Sequence, residues 1–148
     1  ELKERLKSDL TEAIRARDEV RAGTIRMALT SITNEEVAGK EARILTDAEI
    51  ITVLSREAKK RREAAEAYDS AGSKERGDRE RAEGLVIAEY LPSQLSESEL
   101  QEMIKAAIAE TGASGPSGIG QVMKALSPKI AGRADGSKVS AAVKAALS

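Results

Sequence analysis

Apolar residues recur at helical spacing along the first third of the chain. One apolar residue stands at every fourth position in the opening segment: Leu2, Leu6, Leu10 and Ile14. Charged residues fill the positions between them, which predicts one face of an amphipathic helix. A second helix is predicted from a similar series that ends near Gly39: Val20, Ile25, Leu29, Ile32 and Val37. Gly23 lies inside this second pattern and suggests close packing of a neighbouring helix.

The longest predicted helix begins with a recognisable start signal. Thr46 is followed three residues later by Glu49, which is the pattern of a capping box, and the apolar spacing continues to Tyr68. Residues 70–84 are small and charged, with three glycines, and are predicted to form an exposed turn. A fourth helix then runs through Leu91 and ends before Pro92, because proline disfavours helical geometry in the preceding residue.

Three further helices are predicted after Pro92. Ser96 and Glu99 form a second capping box, Ser117 is the expected cap of the next helix, and Asp135 or Ser137 is the expected cap of the last. No strand-like alternation is long enough to predict a sheet. The predicted fold class is therefore all-α, with a four-helix domain at residues 1–91 and a three-helix domain at residues 96–148.

The composition limits the chemistry that the chain can perform. It has no histidine and no cysteine, which removes the usual bases, thiolate nucleophiles and metal ligands. Ser127 lies two residues before Lys129, but a serine and a lysine so close in sequence are common by chance. We therefore predict no catalytic residue, no metal site and no cofactor. No apolar run is long enough to cross a bilayer and no leader is visible, so a cytoplasmic protein without membrane contact is expected.

Positive charge is concentrated near the carboxyl end. The 24 basic and 25 acidic residues nearly cancel, but residues 113–148 contain five basic residues and only one acidic residue, Asp135. Two interpretations remain open for the loop between the last two helices. In one, Gly132 ends a turn, Gly136 supplies unusual backbone geometry and an acidic or hydroxyl side chain caps the helix. In the other, Lys129, Arg133 and Lys138 surround backbone amides that bind an anion, for which phosphate of a folded RNA is the natural candidate.

A second basic patch lies in the longest predicted helix. Its members are Arg56, Lys59, Lys60 and Arg62. The favoured interpretation is a solvated face supported by pairs such as Glu57 with Arg61, and the alternative is a surface that faces phosphate.

Three segments resemble the YqeY family: "TIRMALTSITNEE", "EYLPSQLSESEL" and "IGQVMKALSPKIAGRADGSKVSAAVKAAL". The resemblance covers essentially the whole chain, and its carboxy-terminal half is similar to the tail domain of the GatB subunit of tRNA-dependent amidotransferases. The resemblance implies two helical domains and a link to tRNA. It places tRNA contacts around Lys124, Lys129, Arg133 and Lys138, with Gly120 and Gly132 as backbone positions. Nothing in the chain is similar to the catalytic region of that enzyme.

Three functions follow as hypotheses. The first is a non-catalytic tRNA-binding module that reads shape and phosphate, since the scarcity of aromatic residues argues against base stacking. The second is a helical adaptor that docks on an amidotransferase or a synthetase. The third, suggested by the family relationship to carbon–nitrogen ligases, is an accessory role with glutamine as the amide donor. The sequence does not determine the oligomeric state.

Overall fold

The computed structural model describes residues 1–148, and every regular element in it is helical. The seven α-helices are α1 (Leu2–Arg15), α2 (Glu19–Glu36), α3 (Asp47–Ser70), α4 (Lys74–Ala88), α5 (Glu97–Thr111), α6 (Ile119–Ile130) and α7 (Gly136–Ala146). A single 3-10 turn, Pro116–Gly118, precedes α6. The all-α class and the order of four helices followed by three are confirmed. None of the helices combines the length and the apolar content that crossing a membrane requires.

The chain forms two compact units. The amino-terminal unit is Glu1–Leu91 and the carboxy-terminal unit is Pro92–Ser148. Each has its own hydrophobic core, and no residue belongs to both cores. That residues 1–91 and residues 96–148 are separate domains stays a prediction.

The core of the amino-terminal unit is aliphatic. Its most deeply buried side chains come from α1, α2 and α3: Leu6, Ile25, Ile32, Ile50 and Leu54. Leu2 and Leu10 pack at its edge, as the fourfold spacing predicts. Ile14 and Val37 were expected on the same buried faces, but Ile14 is 52% exposed and Val37 is 59% exposed. Both lie at an end of their helix, where neighbouring helices no longer cover the apolar face.

The helix α2 ends at Glu36, before the predicted stop at Gly39. The Glu36 carboxylate accepts hydrogen bonds from Lys3 Nζ at 2.8 Å and from the amide of Leu45 at 3.3 Å. Both contacts lower the pKa of Glu36, and the hydrogen bond from Lys3 has the larger effect. One carboxylate thus connects the start of α1, the end of α2 and the loop before α3. Thr46 forms the predicted capping box with Glu49.

The prediction of an exposed turn over residues 70–84 is right only for residues 71–73, because α3 continues to Ser70 and α4 already begins at Lys74. The sequence suggested a turn because it is rich in glycine. The structure gives Gly77 a packing reason: a β-carbon there would lie 2.5 Å from Asp69 Oδ1 and 3.2 Å from the carbonyl oxygen of Ala65. Glycine therefore allows α4 to lie close against α3. Arg81 joins the same contact through hydrogen bonds to Asp69.

The carboxy-terminal unit packs three helices around an aliphatic core. Its most buried side chains are Ile104, Val122, Leu126, Val139 and Val143. The predicted capping box of Ser96 and Glu99 is present, and Gly112 ends α5 with a φ of +67°. The predicted cap at Ser117 is wrong, because that residue lies within the 3-10 turn and α6 begins after Gly118 without a side-chain cap. Asp135, one of the two predicted caps of the last helix, is its N-cap.

Candidate nucleic-acid interface

The cations predicted to bind RNA lie on the α6–α7 segment of the carboxy-terminal unit. Lys124 and Lys129 are exposed on α6, Lys138 is exposed in the first turn of α7, and Arg133 is half-buried in the turn between the two helices. We call this region the α6–α7 surface. Because Asp135 is its only acidic residue, the region is positively charged although the chain as a whole is not.

Arg133 has a structural role that the sequence did not reveal. Its Nε donates a hydrogen bond to the carbonyl of Ser93 at 2.9 Å, and its own carbonyl accepts one from the amide of Leu95, also at 2.9 Å. Gln94 adds a third bond, from Nε2 to the carbonyl of Gly132 at 2.8 Å. The turn between α6 and α7 is therefore joined to the segment just before α5. Arg133 has already used part of its donor capacity on the protein itself.

One amide at the start of α7, that of Ser137, is bonded to the Asp135 carboxylate instead of being open to an anion. The Asp135 carboxylate accepts hydrogen bonds from the Ser137 amide at 3.0 Å and from the Ser137 hydroxyl at 2.8 Å. Of the two interpretations of this loop, the capping one is confirmed for Asp135. A phosphate near the start of α7 would meet this carboxylate, so attraction depends on the lysine side chains around it.

The lysines do not converge on one point. Lys124 and Lys129 are five residues apart, which rotates them by about 140° around an α-helix. Lys129 lies 3.5 Å from Glu110, in an exposed ion pair of the kind that contributes at most about 1 kcal/mol. Lys124 and Lys138 form no ion pair. A distributed arrangement of this kind fits an extended polyanion better than a small compact anion.

The three glycines expected as backbone positions differ from one another. Gly132 has a φ of +74°, a left-handed conformation that a residue with a β-carbon adopts only at a cost. Gly136 was expected to have unusual backbone geometry, but it is an ordinary first residue of α7. A β-carbon at Gly136 or at Gly120 would touch nothing within 4 Å. Of these three positions, only that of Gly132 has a backbone conformation that favours glycine.

Two of the four cations in the second basic patch, on α3, pair with acidic side chains. Arg56 pairs with Glu35 at 3.3 Å and Lys60 pairs with Glu57 at 3.2 Å. Lys59 and Arg62 also interact with neighbouring groups. These contacts leave the α3 patch less positive charge for phosphate than the α6–α7 surface has.

The interpretation of the α3 segment as a solvated face needs one correction. Glu57 and Arg61 do pair, with Oε1 and Nη1 3.0 Å apart, but each side chain is only 8% exposed. They occupy a stripe with Ile50, Leu54 and Ala65 that faces the rest of the unit. Spacings of three or four residues place charged and apolar residues alike on this buried face.

The arrangement offers little to nucleophilic or metal chemistry. The Ser127 hydroxyl donates to the carbonyl of Met123 at 2.8 Å, and Lys129 points to Glu110, so the serine and lysine do not form a pair. No group of three or more acidic side chains is placed to hold a metal ion.

The sequence did not predict a polar cluster around Tyr90 in the amino-terminal unit. The buried Tyr90 hydroxyl donates to Asp9, and the Arg5 guanidinium lies 4.6 Å from the centre of the ring. Burial, followed by the hydrogen bond to Asp9, raises the pKa of Tyr90. Arg21 completes the cluster with a hydrogen bond of 2.7 Å to Glu89. Its members come from sequence positions as far apart as 5 and 90, so local patterns carry no signal for it.

Comparison with known families finds a match to the chain. Residues 3–147 match the family described as Yqey-like protein, which is nearly the whole chain. No protein of curated function matches the sequence.

Proposed function

The chain belongs to the Yqey-like protein family, and from this premise we propose that it is a non-catalytic helical module that binds tRNA through its α6–α7 surface. The observation that carries the proposal is that two lysines of this surface are exposed and unpaired. Lys124 and Lys138 are exposed and form no ion pair, while the only acidic residue in the region serves as a helix cap. These lysines are free to neutralise phosphates, which is the main source of affinity for nucleic acids.

The form of nucleic acid follows from the aromatic residues. The only two aromatic side chains, Tyr68 and Tyr90, both belong to the amino-terminal unit, and Tyr90 is buried. The carboxy-terminal unit thus has no ring on which an unpaired base could stack. Binding of single strands without sequence preference usually uses such stacking. A folded RNA that presents helical backbone is therefore the favoured ligand.

A charge-reversal experiment tests the proposal. Fluorescence anisotropy with folded tRNA is measured for the wild-type chain and for Lys124→Glu/Lys138→Glu, at low and at near-physiological salt. The matched control is Lys40→Glu/Lys105→Glu, which changes the net charge equally at two exposed lysines outside the α6–α7 surface. Lys124→Glu/Lys138→Glu should lose about two phosphate contacts, so the slope of log affinity against log salt concentration should become shallower by about 1.8. The control variant should keep the slope of the wild type.

Two results would contradict the proposal. Equal weakening by both variants would mean that affinity follows net charge rather than this surface. Equal affinity for a duplex DNA of similar length would mean that the surface does not select RNA. Circular dichroism of each variant checks that its helical content is unchanged.

A second candidate function is that of an adaptor that docks on an amidotransferase or a synthetase. It is favoured by exposed aliphatic side chains in the amino-terminal unit, among them Ile14, Val20 and Leu85. The test is a pull-down from lysate that survives nuclease treatment and identifies the partner. An accessory role in carbon–nitrogen ligation with glutamine as amide donor has weaker support, because no nucleophile and base lie together. Release of ammonia from glutamine by the purified chain would favour it.

A further inference from the structure

An open cleft lies at the turn between α1 and α2, and none of its residues belongs to the α6–α7 surface. Its volume is about 330 Å³, near the lower end of the range for ligand pockets, and enough for one or two side chains of a partner. Ala13 and Ala22 are buried and form its apolar floor, and the half-exposed Ile14 stands at its edge. The cleft therefore suits an aliphatic side chain.

The backbone of this turn has an unusual conformation. Arg17 has a φ of +59°, and it is the only residue other than glycine with a positive φ. Its amide donates to the carbonyl of Ile14 at 3.1 Å, which closes the turn tightly. Glycine fits this conformation without strain, whereas arginine does not. The presence of a strained arginine at the cleft indicates a use for its side chain.

The charged residues around the cleft differ in whether their side chains have a role within the chain. Asp18 caps α2 by accepting from the Arg21 amide at 3.0 Å, and Glu19 lies in the first turn of α2, where a negative charge is favourable. Arg17 and Arg26 also line the cleft, and the guanidinium group of neither residue forms a hydrogen bond or an ion pair within the chain. Two positive charges beside an apolar floor thus have no partner within the chain.

We propose that this cleft docks an acidic segment of a partner protein. An aliphatic side chain of the segment lies on Ala13 and Ala22, and neighbouring carboxylates pair with Arg17 and Arg26. The cleft fits such a segment better than it fits RNA, because its apolar floor can bury an aliphatic side chain, which a row of phosphates does not offer. This docking does not depend on RNA binding by the α6–α7 surface.

A random peptide library displayed on phage tests the proposal. The chain has no cysteine, so one cysteine added after Ser148 immobilises the whole 148-residue chain in a single orientation. Peptides are selected on this surface and counter-selected against Arg17→Glu/Arg26→Glu. The selected peptides should contain Asp or Glu next to Leu, Ile, Val or Met.

Single variants then locate the binding site. Arg17→Gly should weaken the selected peptides about tenfold or more, the effect of losing one charged hydrogen bond. Its folding is not at risk, because glycine adopts the positive φ readily. Arg26→Gln should weaken them similarly, and the control Lys40→Gln, at an exposed loop position of the same unit, should not.

Three outcomes would overturn the proposal. The first is that no peptide is enriched, and the second is that the enriched peptides lack acidic residues. The third is that the arginine variants lose tRNA binding while peptide binding is unchanged, which would assign the cleft to nucleic acid instead.

Discussion

Replacing Arg61 with methionine tests how much the buried ion pair stabilises the amino-terminal unit. Arg61 Nη1 donates to Glu57 Oε1 at 3.0 Å and to the Glu57 carbonyl at 3.2 Å, while its buried Nε has no hydrogen-bond partner. Without Arg61, the buried Glu57 carboxylate keeps only Lys60, 3.2 Å away. Breaking a buried pair on one side typically costs 3–5 kcal/mol, and the remaining lysine favours the lower end, about 3 kcal/mol.

The reverse replacement, Glu57→Met, should cost a similar amount. It leaves the Arg61 guanidinium buried, with the nearest remaining carboxylate, Glu83, at 3.8 Å. In Glu57→Met/Arg61→Met neither charge remains, and methionine fills similar volume, so stability should return to within about 1 kcal/mol of the wild type. The coupling energy between the two positions should therefore exceed about 3 kcal/mol.

The assay is urea denaturation followed by tyrosine fluorescence. Both tyrosines belong to the amino-terminal unit, so the signal reports its unfolding without a contribution from the other unit. The matched control is the pair Glu12 and Arg15, which has the same 3.0 Å separation but side chains that are 67% and 73% exposed. Methionine at both control positions should give a coupling energy below about 0.5 kcal/mol. A coupling energy for the buried pair no larger than that of the control would mean that burial does not strengthen the dependence of Glu57 and Arg61 on each other.

Four further predictions follow from other contacts. The pKa of Glu36 is lowered by its lysine and amide partners, so the stability it provides is present above pH about 4.5 and is lost as the pH falls through the lowered pKa; Glu36→Gln should flatten this acid limb in denaturation curves. Gly77→Ala should destabilise the chain by about 1–3 kcal/mol through overpacking. Gly23→Ala, where nothing lies within 4 Å, should stabilise it by up to about 1 kcal/mol. In thermal melts the first substitution should therefore lower the melting temperature and the second should raise it. Arg133→Ala should lower stability by about 1 kcal/mol through its lost hydrogen bond, as measured by circular dichroism, and no change would deny its structural role. Residues 92–148 expressed alone should melt cooperatively, and a featureless melt would show that the unit needs the rest of the chain.

The prediction that close helix packing explains Gly23 is wrong, since the residue is exposed and a β-carbon would have open space. The close approach lies at Gly77 instead. The two glycines look alike in the sequence, because each interrupts a pattern of helical spacing. What distinguishes them is the distance to another helix, which no local pattern contains.

Local sequence patterns were enough to predict the features that depend on a few adjacent residues. Periodicity specified an all-α chain with four helices before Pro92 and three after it. The capping boxes that begin at Thr46 and Ser96 were also predictable, because a cap joins groups within one helical turn. The positive charge of residues 113–148 was equally visible as a count.

Which of these charges remain available for a ligand depends on how the helices pack. Arg133 and Ser93 are 40 residues apart in sequence, yet they form a hydrogen bond. Arg133, which was predicted to contact RNA, therefore also stabilises the carboxy-terminal unit. The same long-range packing buried Arg61 beside Glu57. It also placed Arg17, whose positive φ appears in no sequence pattern, beside a cleft that has an apolar floor. Local rules specify helices and caps, whereas pairing and burial depend on residues that come together only when the helices pack.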